Sequence, residues 1–494
     1  LQCAPLELTA VDVTENPVGH PNAFPCRLDW VHSLNLNSNG TPESAIIEIT
    51  DVALAPAEAI LFIAGVLENG QSSMKLTDGD KSDTEVLDCE NSRCRFLAKY
   101  DMAASSTLQW FRYDLGDFDD VKLTVDRNGD AIIAGTFTGE VMSGNVAGVE
   151  AHSSKNKNIL MTKYFSDGTH AWTRQIGGKG VERVEVIRPT EDGFVLGGLF
   201  QGQVDFGGQG DVADLLKSSG KSDVFVAWYH PNGELHAVRS FGGSGADTLE
   251  DMAVYQATGS TVKDALVMIG TYESDLQWTD VNKSSFRVDA IGKKDFYIVQ
   301  YLPNSKIDWL ITIGGPKDDM GSSMSITPLD EILFTIQFGF GDWVVYQHNG
   351  TFVGYYDKNE NQVLFRLNAA GEIIDSNTLE AGKINDIASG KDDSLFVAAT
   401  AQEINSEMAT TPNNGVEGMG IALSGPGKKK YNRNTVYVAT EVHGDSGPFI
   451  LANEESLFLI GNIFGKAILD FQTSSEHVIG VDNVYSFFVA AYKQ

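Results

Sequence analysis

The stretch Glu-Val-His-Gly-Asp-Ser-Gly-Pro-Phe at 441–449 sets His443, Asp445 and Ser446 side by side. A nucleophilic serine needs a base within hydrogen-bond reach and an acid that orients the base, so these residue types could perform acyl transfer. Aspartates recur in similar glycine-rich surroundings: Asp117, Asp119, Asp120, Asp247, Asp318 and Asp319. Carboxylates that converge on one mouth can hold a hard cation, and calcium is the ion that oxygen-only sites suit. The same side chains also cap backbone N–H groups in turns, which is their commoner use. Asp126, Asn128 and Asp130 in "DRNGD" have the alternation of a calcium loop without its distant bidentate acid; an ordinary hairpin turn with Gly129 in the left-handed region explains them as well. Trp343, Tyr346, Phe352, Tyr355 and Tyr356 crowd into "DWVVYQHNGTFVGYYD" (342–357), two alternating strands around an Asn-Gly turn. Rings presented this way suit contact with protein or sugar, or cover a neighbouring sheet.

What positions these residues is a repeat. "RCRFLAKYDMAASSTLQWFRYDLG" (93–116), "NILMTKYFSDGTHAWTRQIGG" (158–178), "DVFVAWYHPNGELHAVRSFGG" (223–243), "DFYIVQYLPNSKIDWLITIGG" (295–315) and "QVLFRLNAAGEIIDSNTLEAG" (362–382) share one form. Each is an apolar strand, a polar turn and a second strand ending in glycine. A second hairpin alternates with this one, from "AIIEITDVALAPAEAILFIAGVL" (45–67) to "PFILANEESLFLIGNIF". With strands A and B in the latter and C and D in the former, seven A–B hairpins are present. Four strands per unit predict an all-β fold, a seven-bladed β-propeller of four-stranded antiparallel blades. The final strand, "YSFFVAAYKQ" (485–494), is a C strand lacking its D. The segment "RLDWVHSLNL" (27–36) is a D strand lacking its C, so the N-terminal strand is expected to close the last blade.

The segments "GGLFQGQVDFGG", "SDVFVAWYHPNGELHAVRSFGGSGAD" and "GTFTGE" resemble the seven-bladed propeller repeats of secreted bacterial proteins. Gly198, Phe200, Gly202, Asp205, Phe206, Asp223, Phe225, Gly242, Gly243 and Asp247 carry the resemblance, which extends over residues 27–494. It implies a fold and secretion and brings no catalytic set. The "GDSGP" stretch also resembles the nucleophile loop of trypsin-like serine proteases, but with one glycine before the proline where those have two. It falls at a D-to-A crossing, where "GGKGVE", "GGSGAD" and "GGPKDD" stand elsewhere, and reads as a linker between blades. No catalytic residue is assigned.

The formal charge of −31 opposes nucleic acid and anionic lipid as partners. No apolar run has the length of a membrane span. The opening "LQCAPLELTA" reads as a mature terminus after signal removal, so a secreted or cell-surface location is expected. Cys3, Cys26, Cys89 and Cys94 are expected to form disulfides. Cys89 with Cys94 would close a small loop and Cys3 with Cys26 would staple an N-terminal extension (1–26), although four cysteines allow three pairings. Sequons at Asn39, Asn282 and Asn349 match chance, and "KKKY" (428–431) reads as a solvated turn.

B-to-C connections are long in every unit, including 203–221, 274–293 and 339–360, and emerge on the side of the blade shared with the D-to-A crossings. The expected function is therefore non-enzymatic binding of an extracellular protein or glycan, or self-assembly, through these connections. The alternative is a polysaccharide lyase or hydrolase with an axial, calcium-assisted site.

Overall fold

The computed structural model describes residues 27–35, 46–55, 60–68, 74–78, 81–87, 93–101, 107–143, 146, 151–207, 215–255, 263–279, 285–339, 343–347, 352–356, 362–378, 383–389, 395–401, 418–424, 436–441, 449–452, 456–470 and 477–493. All regular structure among them is β-strand. Cys3, Cys26, Cys89, the His443–Ser446 stretch and the lysine run at 428–430 lie outside the described residues. The chain divides into two compact parts. One comprises Leu1–Gly116, Met142–Gly148 and Ala381–Gln494; the other comprises Asp117–Val141 and Val149–Glu380.

In the second part, consecutive strands pair antiparallel in meanders. Glu182–Thr190, Gly193–Phe200, Asp223–Tyr229 and Leu235–Gly242 form one such run. Asp251–Val254, Leu266–Thr279, Ser285–Tyr301 and Ile307–Gly314 form the next. Met320–Ile326, Ile332–Gln337, Gln362–Leu367 and Ile373–Thr378 make a sheet of their own. In the first part, Ile46–Leu54, Ile60–Glu68 and Cys94–Asp101 pair in the same succession, as do Lys383–Ser389, Leu395–Ala401, Gly418–Ser424 and Val436–Glu441. There too Arg27–Asn35 pairs with His477–Lys493, with Leu34 opposite Phe487 and Trp30 opposite Ala491.

Glycine and aromatic residues are matched across the strands. Gly65, Gly198 and Gly270 on B strands lie directly opposite Phe96, Phe225 and Tyr297 on C strands. A Cβ on Gly198 would stand 2.0 Å from the Arg183 carbonyl and 2.8 Å from the Phe225 ring. The missing side chain makes the niche that the ring fills, and the exchange recurs in all three places. Between meanders the core is aromatic: Phe296, Phe334 and Phe365 stack with successive centroids 5.3 Å apart.

The B-to-C connections differ from the loops that were expected. Several are β-hairpins that extend the B and C strands and pair with the D strand of the preceding meander. Val204 and Asp205 pair with Gly178 and Gly177, and Gln277 and Trp278 with Gly242 and Phe241. Val344–Gln347 pairs with Ile311–Gly314. In the first part, Val438 pairs with Leu469. A D strand is the outer strand of its meander and would otherwise show a row of unpaired amides, so each hairpin covers an edge.

Candidate functional site

Six aspartates were candidates for a cation site, and the structure gives five of their carboxyls other partners. Asp247 is buried and accepts the Gly243 amide at 2.7 Å and the Glu273 amide at 3.3 Å. Asp319 repeats the pattern with the amides of Gly315 at 2.7 Å and Gly339 at 3.0 Å. Glu182 accepts Gly178 in the corresponding place at 3.3 Å. Each acid thus holds the amide four residues back, which fixes the tight D-to-A crossing. Burial pushes Asp247 and Glu182 up to about 7 and Asp319 up to about 6, with the amide donors pulling the other way. Asp119 pairs with Lys157 at 2.6 Å and Asp120 with Arg183 at 2.9 Å. Asp117 accepts the Thr138 hydroxyl at 3.0 Å, and Asp318 is exposed. Among the described residues, no three His, Cys, Asp or Glu side chains are grouped so that they could hold a metal ion.

The "DRNGD" turn follows the same logic. Asp126 accepts the amides of Asn128 and Asp130, and Gly129 has φ of +78°. The Lys163 ammonium lies 2.7 Å from Asp126 and 3.1 Å from Asp130, so a side chain of the protein supplies the positive charge there.

A second family of acids went unnoticed in the sequence. Asp251 accepts the Met252 amide at 2.7 Å and Arg188 at 2.8 Å through one oxygen, and the Met324 amide at 2.9 Å through the other. It joins three successive A strands. In the first part, Asp386 likewise accepts Ile387 and Ile450, each at 2.9 Å, and Asp51 accepts Val52 at 2.9 Å. The signal was present as "ITDV" (49–52), "LEDM" (249–252) and "INDI" (384–387). In two of these strands the register shifts at the residue just before the aspartate.

Two further acids lie on or beside the A strands. Glu185, at a register shift between Val184 and Val186, lies 3.7 Å from Arg183. Burial pushes it up to about 7, while Lys122 and Arg183 lower it. Glu250 is raised by burial and accepts the Thr248 hydroxyl at 2.7 Å.

The aromatic insertion is a hairpin of Trp343–Gln347 and Phe352–Tyr356, with Trp343 opposite Tyr356 and Tyr346 opposite Phe352. Its first strand pairs with Ile307–Gly314, and its second ends the sheet order. Tyr346 is exposed. A cavity of about 320 Å³ lies beside Asp223, Arg239, Phe241, Gln277 and Trp278. Three of its polar side chains are already engaged: Asp223 by the Ser219 amide at 2.8 Å, Arg239 by Ser305 at 2.7 Å and Gln277 by Asp275. Cys94 is buried and disulfide-bonded, and the other three cysteines lie outside the described residues. No helix among the described residues is long and apolar enough to cross a membrane.

No family model matches the sequence, and no curated protein matches it either. Among solved structures, the chain is similar to the Dos1 propeller at 7% identity and a TM-score of 0.42, covering 93% of this chain and 95% of that one. It is similar to Sqt1 from Saccharomyces cerevisiae at 9% identity and 0.37, covering 94% and 99%. Rhamnogalacturonan lyase YesW is matched at 11% identity and 0.25, covering 79% and 89%.

Proposed function

We propose that the chain is a seven-bladed, secreted or cell-surface β-propeller that binds an extracellular protein or glycan without catalysis, using its B-to-C insertions. The observation that carries this reading is the Trp343–Tyr356 hairpin. It continues a buried sheet outward and ends in a strand whose outer side pairs with none of the described strands, and its sequence is rich in aromatic residues and free of Asp, Glu, Lys and Arg. A rigid sheet that presents such a strand is suited to binding at low ordering cost. The antiparallel succession of A to D strands and the pairing of Arg27–Asn35 with His477–Lys493 support the ring. Disulfide-bonded Cys94 supports an oxidising location.

The acidic crossings have a structural part in this reading: they clamp backbone turns. A second reading, an enzyme acting on polysaccharide at the axis, is favoured by Glu185, a carboxyl on an A strand 3.7 Å from Arg183 whose affinity for a proton burial raises. The test replaces residues 343–356 by a short Gly-Ser turn and compares binding to a glycan array and to extracellular proteins. Binding lost in the variant with its melting temperature kept supports the first reading. Turnover of a polysaccharide that Glu185→Gln abolishes would overturn it in favour of the second.

A further inference from the structure

The outer strand of the aromatic hairpin differs from comparable edges in the same compact part. Leu215–Lys217 is the outer strand of one insertion and carries Lys217. The outer stretch of another, Ser285–Asp289, carries Arg287 and Asp289. Charges on an edge discourage further pairing. Phe352–Tyr356, "FVGYY", has no charged residue and no proline, and nothing among the described strands pairs with its outer side.

The occupant follows from charge and symmetry. A chain of −31 repels its own copies over most of its surface. The run 343–356 contains no Asp, Glu, Lys or Arg, so two copies meet there with least repulsion. An antiparallel strand pair is self-complementary about a two-fold axis. Centred on Gly354, the strand would set each Phe352 opposite the other copy's Tyr356 and each Val353 opposite its Tyr355, aromatic and β-branched pairs that sheets favour. We propose that Phe352–Tyr356 pairs with the same strand of a second copy, which joins two sheets into one across a two-fold dimer. This rests on the reading of the hairpin as a binding element and names its partner.

The experiment is sedimentation velocity of the full chain across a concentration series, at low salt and at about 0.5 M salt, where exposed charges are screened within a few Å. Hydrogen exchange of the 352–356 amides is followed alongside. The expected result is a dimer that tightens with salt, with amide protection rising as dimer forms. Val353→Lys should weaken it at least about tenfold, the order of one lost edge contact, and Val353→Thr, which keeps a β-branched strand residue, should retain it. Equal far-ultraviolet circular dichroism and melting temperature in both variants shows that the fold is kept. A chain that stays monomeric at every concentration and salt overturns the proposal, as does a dimer in which the 352–356 amides exchange as in the monomer. A monomer whose hairpin still captures a glycan or a different protein overturns the two-fold pairing and leaves the binding reading standing. Loss of both refutes both.

Discussion

Raising the pH from about 5 to about 8 is expected to destabilise the second part through three crossing carboxyls. Glu182 and Asp247 are 0% exposed and Asp319 is 1% exposed. Their folded values of about 7, 7 and 6 lie above the ordinary carboxyl range of about 4. An acid raised in this way holds its proton more firmly folded than unfolded. The folded state therefore carries more protons between the two values, and stability falls as pH climbs through that window. At about 1.4 kcal/mol per unit, counted from about pH 5, Glu182 and Asp247 would each lose about 2–3 kcal/mol and Asp319 about 1 kcal/mol. General repulsion in so acidic a chain acts in the same direction. Urea unfolding followed by tryptophan fluorescence should be run on the parent and on Glu182→Gln, Asp247→Asn and Asp319→Asn combined. The parent should lose stability steeply between the two pH values and the variant much less. Equal slopes in the two proteins, or a parent that gains stability with pH, would refute the assignment of these carboxyls as buried proton holders.

Gly198→Ala should cost about 2–4 kcal/mol, because its methyl group would meet the Arg183 carbonyl and the Phe225 ring; a thermal melt measures it, and a neutral result would contradict the glycine niche. Asp114→Ala leaves Arg95, 0% exposed and bonded to Asp114 at 2.7 Å, without that partner and should cost about 3–5 kcal/mol in urea unfolding. Asp251→Ala removes acceptors from the Met252 and Met324 amides and from Arg188, so hydrogen exchange should speed up at both amides as stability drops by about 2 kcal/mol or more.

The parts of this fold that were legible in sequence are those fixed by local chemistry. The hairpin turns show themselves through glycine, and Gly129, Gly168, Gly233 and Gly371 all have φ near +80°, as turn glycines must. The strands show themselves through alternation, and the first and last strands through the partner each lacked. The Asn-Gly turn of the aromatic insertion marked its two strands correctly. Pairing of insertions with the preceding D strand was invisible, because a strand's backbone partner leaves little trace in its own side chains. The acids were legible in type but not in partner. Asp247 and Asp319 in "GGSGAD" and "GGPKDD" stood open between holding a cation and capping a turn, the commoner use; their partners are backbone amides, which sequence does not distinguish from one residue to the next. The "ITDV", "LEDM" and "INDI" signature was readable and was passed over because it lies inside apolar strands, where an aspartate looks like an interruption.

The ring is tested most directly by hydrogen exchange along His477–Lys493, in the full chain and in one lacking residues 27–35. In a closed ring, Ser486–Lys493 is flanked by Ser456–Asp470 on one side and by Arg27–Asn35 on the other. Successive amides of a strand point to opposite sides, so the deletion should strip protection from roughly every second amide of this stretch and leave the alternate ones slow. Protection unchanged along the whole stretch after the deletion would contradict it.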